Sequence, residues 1–179
     1  MTAVVPVTAA GLARTPRPEL EAHAWRVLGE VQDPEIPVLS VVDLGVIRHV
    51  RAEEAGALEV GLAPTYSGCP ATAVIRASVV AALRAAGFEP VTVVEVLSPP
   101  WTSDWLSAEG RRKLEHYGIA PPAEAVGSPR ELWHPAPTVR CPRCASQHTI
   151  ELSRFGSTPC KALYRCNACL EPFEYFKCI

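Results

Sequence analysis

Four cysteines in the C-terminal part of the chain have the spacing of metal ligands. They form two C-x-x-C pairs, Cys141 with Cys144 and Cys166 with Cys169, and 21 residues separate the pairs. Each pair can present two thiolates from one tight turn, and four thiolates close the tetrahedral shell of a structural Zn²⁺. The spacing therefore predicts a structural zinc ion that stabilises the fold, although a rubredoxin-like iron site would use similar ligands.

Two further cysteines of the same region, Cys160 and Cys178, are left unassigned by this spacing. Either could replace one of the four ligands, bind a second metal transiently or pack as a small apolar side chain. His148 is a fallback ligand, but its position fits an ordinary strand residue better.

The seventh cysteine, Cys69, lies apart from the others in the loop 65–70. Its position predicts the N-cap of a long helix, where unpaired backbone N–H groups and the helix dipole favour a thiolate. Such a thiolate can attack an electrophile or hold a soft metal, but a cysteine there can equally only cap and pack. Asp33 and Asp43, in the preceding loop, are by default turn and cap residues, because aspartate bonds readily to nearby backbone N–H groups.

Other catalytic arrangements are missing from the sequence. There is no Ser-His-Asp order, no P-loop and no G-x-G-x-x-G, so hydrolase and nucleotide-binding functions lack support. His49 lies on a predicted strand and is interpreted as a solvated or hydrogen-bonded histidine rather than a ligand.

The elements that must position Cys69 and Asp43 extend over residues 18–118. Apolar spacing of three to four residues predicts helices, and strict alternation predicts half-buried strands. The predicted order is helix 18–31, strands 46–52 and 57–64, helix 70–86, strand 91–97 and helix 107–117. This αββαβα order, with the strands on either side of the long helix parallel, predicts a small layered α+β domain with a mixed sheet.

The remaining segments differ from this domain in composition. Residues 1–17 are predicted to be a disordered tail, and residues 119–138, rich in proline, to be a linker. Residues 139–179 are predicted to form the zinc ribbon, with strands 149–153, 162–166 and 172–177.

Charge and aromatic content bear on whether the ribbon binds nucleic acid. Residues 139–179 carry six Arg or Lys and three Glu, so their net charge is +3 and the rest of the chain, at −2 overall, carries −5. The ribbon holds five aromatic residues, which are interpreted as its core: Phe155, Tyr164, Phe173, Tyr175 and Phe176. Nucleic acid is not expected as a partner, because the ribbon has no dense run of basic residues.

Composition excludes several classes of protein. The chain has 179 residues and is 48% hydrophobic and 20% charged, so it can form a packed core. Its apolar stretches are shorter than the ~20 residues of a membrane span. Without a secretory signal, seven cysteines predict metal or thiol chemistry and a cytoplasmic location rather than a disulfide framework.

Three motifs of the first domain resemble the SufT/PaaD-type family of iron–sulfur assembly factors. They are DPEIP at 33–37, SVVDLGVI at 40–47 and TYSGCP at 65–70. The extension, with CPRC at 141–144 and FGSTPCKALYRCNACLEPFEYFK at 155–177, is similar to one branch of that family. The members of that branch accompany the phenylacetyl-CoA ring 1,2-epoxidase of phenylacetate degradation.

The resemblance implies an accessory factor with no epoxidation activity of its own. Its partners would be the di-iron oxygenase and the flavin and [2Fe–2S] reductase of that system, one of which it would supply with iron or a cluster. By matching position, Cys69 would handle transient iron or a cluster, and Asp43 would support its loop. Because clusters take four protein ligands, a homodimer could pair two Cys69 thiols, or Cys160 or Cys178 could complete the set.

Two other functions remain open at this stage. The chain could be an interaction subunit that stabilises the epoxidase complex without metal transfer. It could instead be an enzyme with Cys69 as nucleophile or redox thiol, a hypothesis weakened by the lack of a base partner or an adjacent resolving cysteine.

Overall fold

The computed structural model describes residues 17–53, 57–66, 68–122 and 138–177. Residues 1–16 of the predicted tail 1–17, Cys178 and most of the predicted linker lie outside these residues, while Arg17, predicted as tail, begins the first helix. The chain divides after Trp101 into two compact units.

A three-stranded mixed sheet forms the first unit, together with two helices. Strand β2 pairs antiparallel with β1 and parallel with β3. The elements are α1 (Arg17–Leu28), β1 (Ile47–Ala52), β2 (Leu58–Leu62), α2 (Ala71–Ala85) and β3 (Val91–Glu95). The predicted α+β class and the parallel pairing across the long helix are confirmed.

The core of the first unit lies between the sheet and the helices. Helix α1 contacts β1 and α2, and α2 contacts β3. Leu28 of α1 and Leu83 of α2 are fully buried, as is Val60 of the central strand. A period of 3.6 on the helices and of 2 on the strands thus places one apolar face of each element in the core.

The loop 65–70 and the loop before β1 meet at one end of this sheet. Ile47, the first residue of β1, is paired with Leu62, the last residue of β2. The N–H of Ala63 then donates to the carbonyl of Val46 at 2.8 Å. The two motif-bearing loops therefore leave the sheet side by side, as antiparallel pairing requires.

The second unit begins at Thr102, so the predicted domain boundary at residue 118 lies inside it. It holds a 3₁₀ turn (Ser103–Trp105), α3 (Ala108–Tyr117), β4 (Ile119–Ala120), β5 (Thr149–Ser153), β6 (Lys161–Cys166) and β7 (Pro172–Phe176). The sheet order is β4-β7-β6-β5. Because β4 pairs with β7 and follows α3 directly, α3 lies with the ribbon rather than with the first sheet, and residues 119 and 120 are strand rather than linker.

The core of the second unit includes two of the candidate metal ligands. Its buried cluster is Ala120, Val139, Cys141, Ala162, Tyr164, Cys166, Phe173 and Tyr175. Phe176 is also fully buried, but Phe155 is 65% exposed, so the prediction that all five aromatic residues form the core is wrong for Phe155. Among the described residues, no helix has both the length and the apolar character that a membrane span requires.

Candidate metal centre and loop thiol

The two C-x-x-C pairs converge on one point of the ribbon. The four Sγ atoms of Cys141, Cys144, Cys166 and Cys169 all lie within 4.8 Å of one another. Within the described part of the chain this is the one group of three or more Cys, His, Asp or Glu side chains close enough to share an ion. The spacing prediction of a four-cysteine cluster is therefore confirmed in geometry.

The spacing of the sulfur atoms fits a tetrahedral ion. Cys141 Sγ lies 3.8 Å from Cys169 Sγ, and Cys144 Sγ lies 3.5 Å from Cys166 Sγ. A tetrahedral ion with Zn–S bonds of about 2.3 Å has S–S edges of about 3.8 Å. The donor set therefore fits a tetrahedral zinc ion.

The backbone prepares Cys166 for its thiolate form. The N–H groups of Cys169 and Ala168 point at Cys166 Sγ at 3.5 and 3.4 Å. The Cys169 N–H is the main cause that lowers the pKa of Cys166 to about 6, and the Ala168 N–H acts in the same direction against desolvation. The knuckle thus favours the deprotonated sulfur that a metal binds.

Cys160 does not belong to this cluster. It precedes β6 while Cys166 ends it, and six residues of strand span roughly 20 Å. Its thiol is buried and lies 3.0 Å from Thr158 Oγ1. Of the three possibilities raised by the sequence, packing as a small side chain is the one that this position supports, while Cys178 lies outside the described residues.

Cys69 is half-buried in the loop between β2 and α2. Its N–H donates to the Tyr66 carbonyl at 3.2 Å, and its own carbonyl accepts from Thr72 N–H at 3.2 Å. The N-cap of α2 is Pro70, not Cys69 as the sequence predicted. Pro70 itself has helical dihedral angles (φ −65°, ψ −26°), as a proline at the start of a helix does, so the predicted and observed starts of α2 differ by one residue.

Asp43 stabilises the neighbouring loop through a reciprocal pair with Ser40. Its carboxylate accepts from the Ser40 N–H at 3.1 Å and from the Ser40 hydroxyl at 2.9 Å, while the Asp43 N–H donates to Ser40 Oγ at 3.0 Å. Asp33 likewise accepts from the N–H groups of Glu35 and Ile36. Both aspartates therefore have the turn role predicted from the sequence.

The loop of Asp43 has a second anchor that sequence reasoning missed. Trp101 is buried, and its indole N–H donates to the Leu44 carbonyl at 3.0 Å. No local pattern links two residues 57 positions apart. His49, interpreted as a hydrogen-bonded histidine, lies 3.1 Å from Glu59.

We expect the Asp43→Ala variant to lower the free energy of unfolding of the first unit by about 1–3 kcal/mol, because it leaves the buried Ser40 N–H without its acceptor. Chemical denaturation measures this loss, with Glu30→Ala, at an exposed acidic residue of the same unit, as the control. In a double-mutant cycle, the variant with both Ser40→Ala and Asp43→Ala should lose much less free energy of unfolding than the sum of the losses in the two single variants. Strictly additive losses would contradict the reciprocal pair.

Two family models match the chain. The model described as "Iron-sulfur cluster assembly protein" matches residues 21–97, and the one described as "PaaD zinc beta ribbon domain" matches residues 126–177. Cys69 and Asp43 fall in the first match, and all four clustered cysteines fall in the second. The two matches correspond to the two units of the structure.

Similar proteins are found among bacteria. A protein of Escherichia coli K12, provisionally named as a subunit of 1,2-phenylacetyl-CoA epoxidase, is 52% identical over 155 residues, 87% of this chain and 91% of its own length. The Bacillus subtilis 168 protein named Fe-S protein maturation auxiliary factor YitW is 33% identical over 89 residues, 49% of this chain and 86% of its own.

Solved structures resemble part of the chain. A DUF59 domain of Bacillus anthracis aligns with a TM-score of 0.47 at 22% identity, covering 55% of this chain and 93% of that one. A conserved hypothetical protein of Thermotoga maritima aligns with a TM-score of 0.46 at 27% identity, covering 52% and 92%.

Proposed function

Because the chain belongs to the family of the E. coli 1,2-phenylacetyl-CoA epoxidase subunit, we propose that it is an accessory factor of that epoxidase system in phenylacetate degradation. Its task is to mature an iron or iron–sulfur centre of the reductase or oxygenase component. Zinc held by Cys141, Cys144, Cys166 and Cys169 has a structural role and stabilises the ribbon. It is not catalytic, because a closed four-thiolate shell leaves no position for substrate.

One observation carries the proposal: a half-buried thiol, Cys69, lies in the part of the chain that matches the iron–sulfur assembly model. A shorter relative, which covers 49% of this chain, is itself named as a maturation factor. Thiolates are the ligands that iron–sulfur clusters use. The handling of iron or a cluster is therefore assigned to the first unit. The ribbon is the feature that distinguishes this branch of the family.

The number of ligands limits how Cys69 can act. Among the described residues no group of three or more candidate ligands includes it, whereas a stable cluster takes about four. Cys69 therefore contributes one thiolate to a transient complex with the cargo, and the other ligands come from the acceptor or from a second copy. Transfer is then an exchange of thiolate ligands with no change in oxidation state.

The second candidate is an interaction subunit that stabilises the epoxidase complex without moving metal. The high identity to the E. coli protein over both units favours it, because that likeness includes the ribbon as well as the cysteine loop. The two functions differ in whether the metal content of a partner depends on this chain.

We expect the reductase component to contain less iron per flavin when it is produced in cells that lack this chain. The components are purified anaerobically with and without it, and iron and zinc are counted for each polypeptide. Equal iron occupancy in both preparations, with a less stable epoxidase complex, would instead establish the interaction subunit.

A further inference from the structure

Strand β5 forms one edge of the ribbon sheet, and its backbone is accessible for pairing. In the first unit, Glu21 accepts from the backbone N–H of Ala52 on β1, and Arg76 donates to the Val93 carbonyl on β3. Both edge strands there are thus partly covered by side chains. Over the described residues, no side chain of another element bonds to the backbone of residues 149–153.

This edge is also apolar. Ile150 is 46% exposed, Leu152 49% and Phe155, in the turn after the strand, 65%. An exposed edge strand with apolar side chains invites pairing with another chain. The exposure of three large apolar side chains within six residues therefore indicates a surface for contact.

The turn that presents Phe155 is held in one conformation. Ser153 Oγ donates to the Phe155 carbonyl at 2.8 Å and accepts from the Phe155 N–H at 3.2 Å. The Gly156 N–H donates to the Lys161 carbonyl at 2.8 Å, and Lys177 Nζ lies 4.7 Å from the Phe155 ring centroid. A fixed, exposed aromatic ring loses little entropy when a partner covers it.

Positive charge surrounds the same edge. Arg154 follows β5, and Arg165 is the register partner of Ile150 on β6. Among the described residues, neither arginine has a carboxylate within ion-pair distance. Two nearby carboxylates have other partners, since Glu151 accepts from the Tyr164 hydroxyl and Glu174 pairs with Lys161 at 2.8 Å.

We propose that the β5 face, comprising Ile150, Leu152, Arg154, Phe155 and Arg165, docks an acidic, extended segment of a partner protein that pairs with β5 as an added strand. Apolar residues of that segment cover the exposed side chains, and its carboxylates pair with the two arginines. The inference rests on the proposed function for the identity of the partner, a component of the epoxidase system.

Binding of the full-length chain to the separately purified reductase and oxygenase components tests this surface. Calorimetry compares the wild type with Arg165→Glu, Phe155→Ala and the control Arg140→Glu, an exposed arginine that precedes the metal cluster. We expect the first two variants to weaken binding to one component about tenfold or more, as loss of a central anchor does. The control should leave it nearly unchanged, and zinc content and melting temperature confirm that each variant is folded.

Four other outcomes would overturn the inference. Unchanged affinity in both β5-face variants would refute the docking surface. It would not refute the proposed function, which the iron content of the reductase tests separately. Light scattering that shows loss of a dimer, with component binding intact, would identify the face as a contact between copies. Loss of binding to a single-stranded oligonucleotide, with component binding intact, would assign it to nucleic acid, and failure of the wild type to bind either component would leave the surface without its partner.

Discussion

We expect the replacement of Cys141 by serine to unfold the ribbon. Cys141 is fully buried and belongs both to the metal cluster and to the apolar core around Tyr164 and Phe173. Metal binding supplies about 10–16 kcal/mol of apparent folding free energy in small zinc domains. This is comparable to the whole stability of a typical domain, about 5–15 kcal/mol, so loss of one ligand should remove the cooperative transition of residues 138–177.

Thermal melting and metal analysis measure this effect. The wild type should hold one zinc per chain, and a strong chelator should have the same effect as Cys141→Ser. The matched control is Cys160→Ser, a buried cysteine of the same ribbon outside the cluster, which should keep the zinc. A ribbon transition that neither the Cys141 variant nor the chelator alters would refute the structural role of the metal, and a zinc ratio near two would refute the single site.

The local pattern of the sequence was sufficient for much of this site. Four thiolates at C-x-x-C spacing are recognised directly, because a tight turn brings each pair together whatever the rest of the fold does. The same holds for Asp43, whose hydrogen bonds reach only three residues. The alternation of Leu58, Val60 and Leu62 predicted β2 because the strand has one face in the core.

Long-range contacts decided what the sequence could not. Helix α3 has the periodicity of any amphipathic helix, and only the pairing of Ile119 and Ala120 with β7 assigns it to the ribbon. Trp101 reaches Leu44 across 57 positions. Phe155 has the residue type of a core position, yet its turn presents it to solvent, so composition alone placed it wrongly.

Replacing Cys69 by serine should leave the fold intact and lower the iron content of the partner reductase to the level found without this chain. The backbone N–H and carbonyl of Cys69 bond to Tyr66 and Thr72 whatever the side chain is, and the side chain itself is only half-buried. Serine preserves the size but is a much poorer ligand for iron than a thiolate. A substitution of Cys69 should therefore change the handling of iron without changing the stability of the fold.

The comparison that decides between the two functions uses three variants in the same expression system. Iron per flavin is measured in the purified reductase after coexpression with wild type, Cys69→Ser, Cys69→Ala or the control Cys160→Ser. If Cys69 binds the cargo, both Cys69 variants fail equally, since neither offers a thiolate, while the control supports full occupancy. Full occupancy with Cys69→Ala would exclude thiolate transfer and leave the interaction subunit, because a surface that only stabilises a complex does not require one sulfur atom in the loop 65–70.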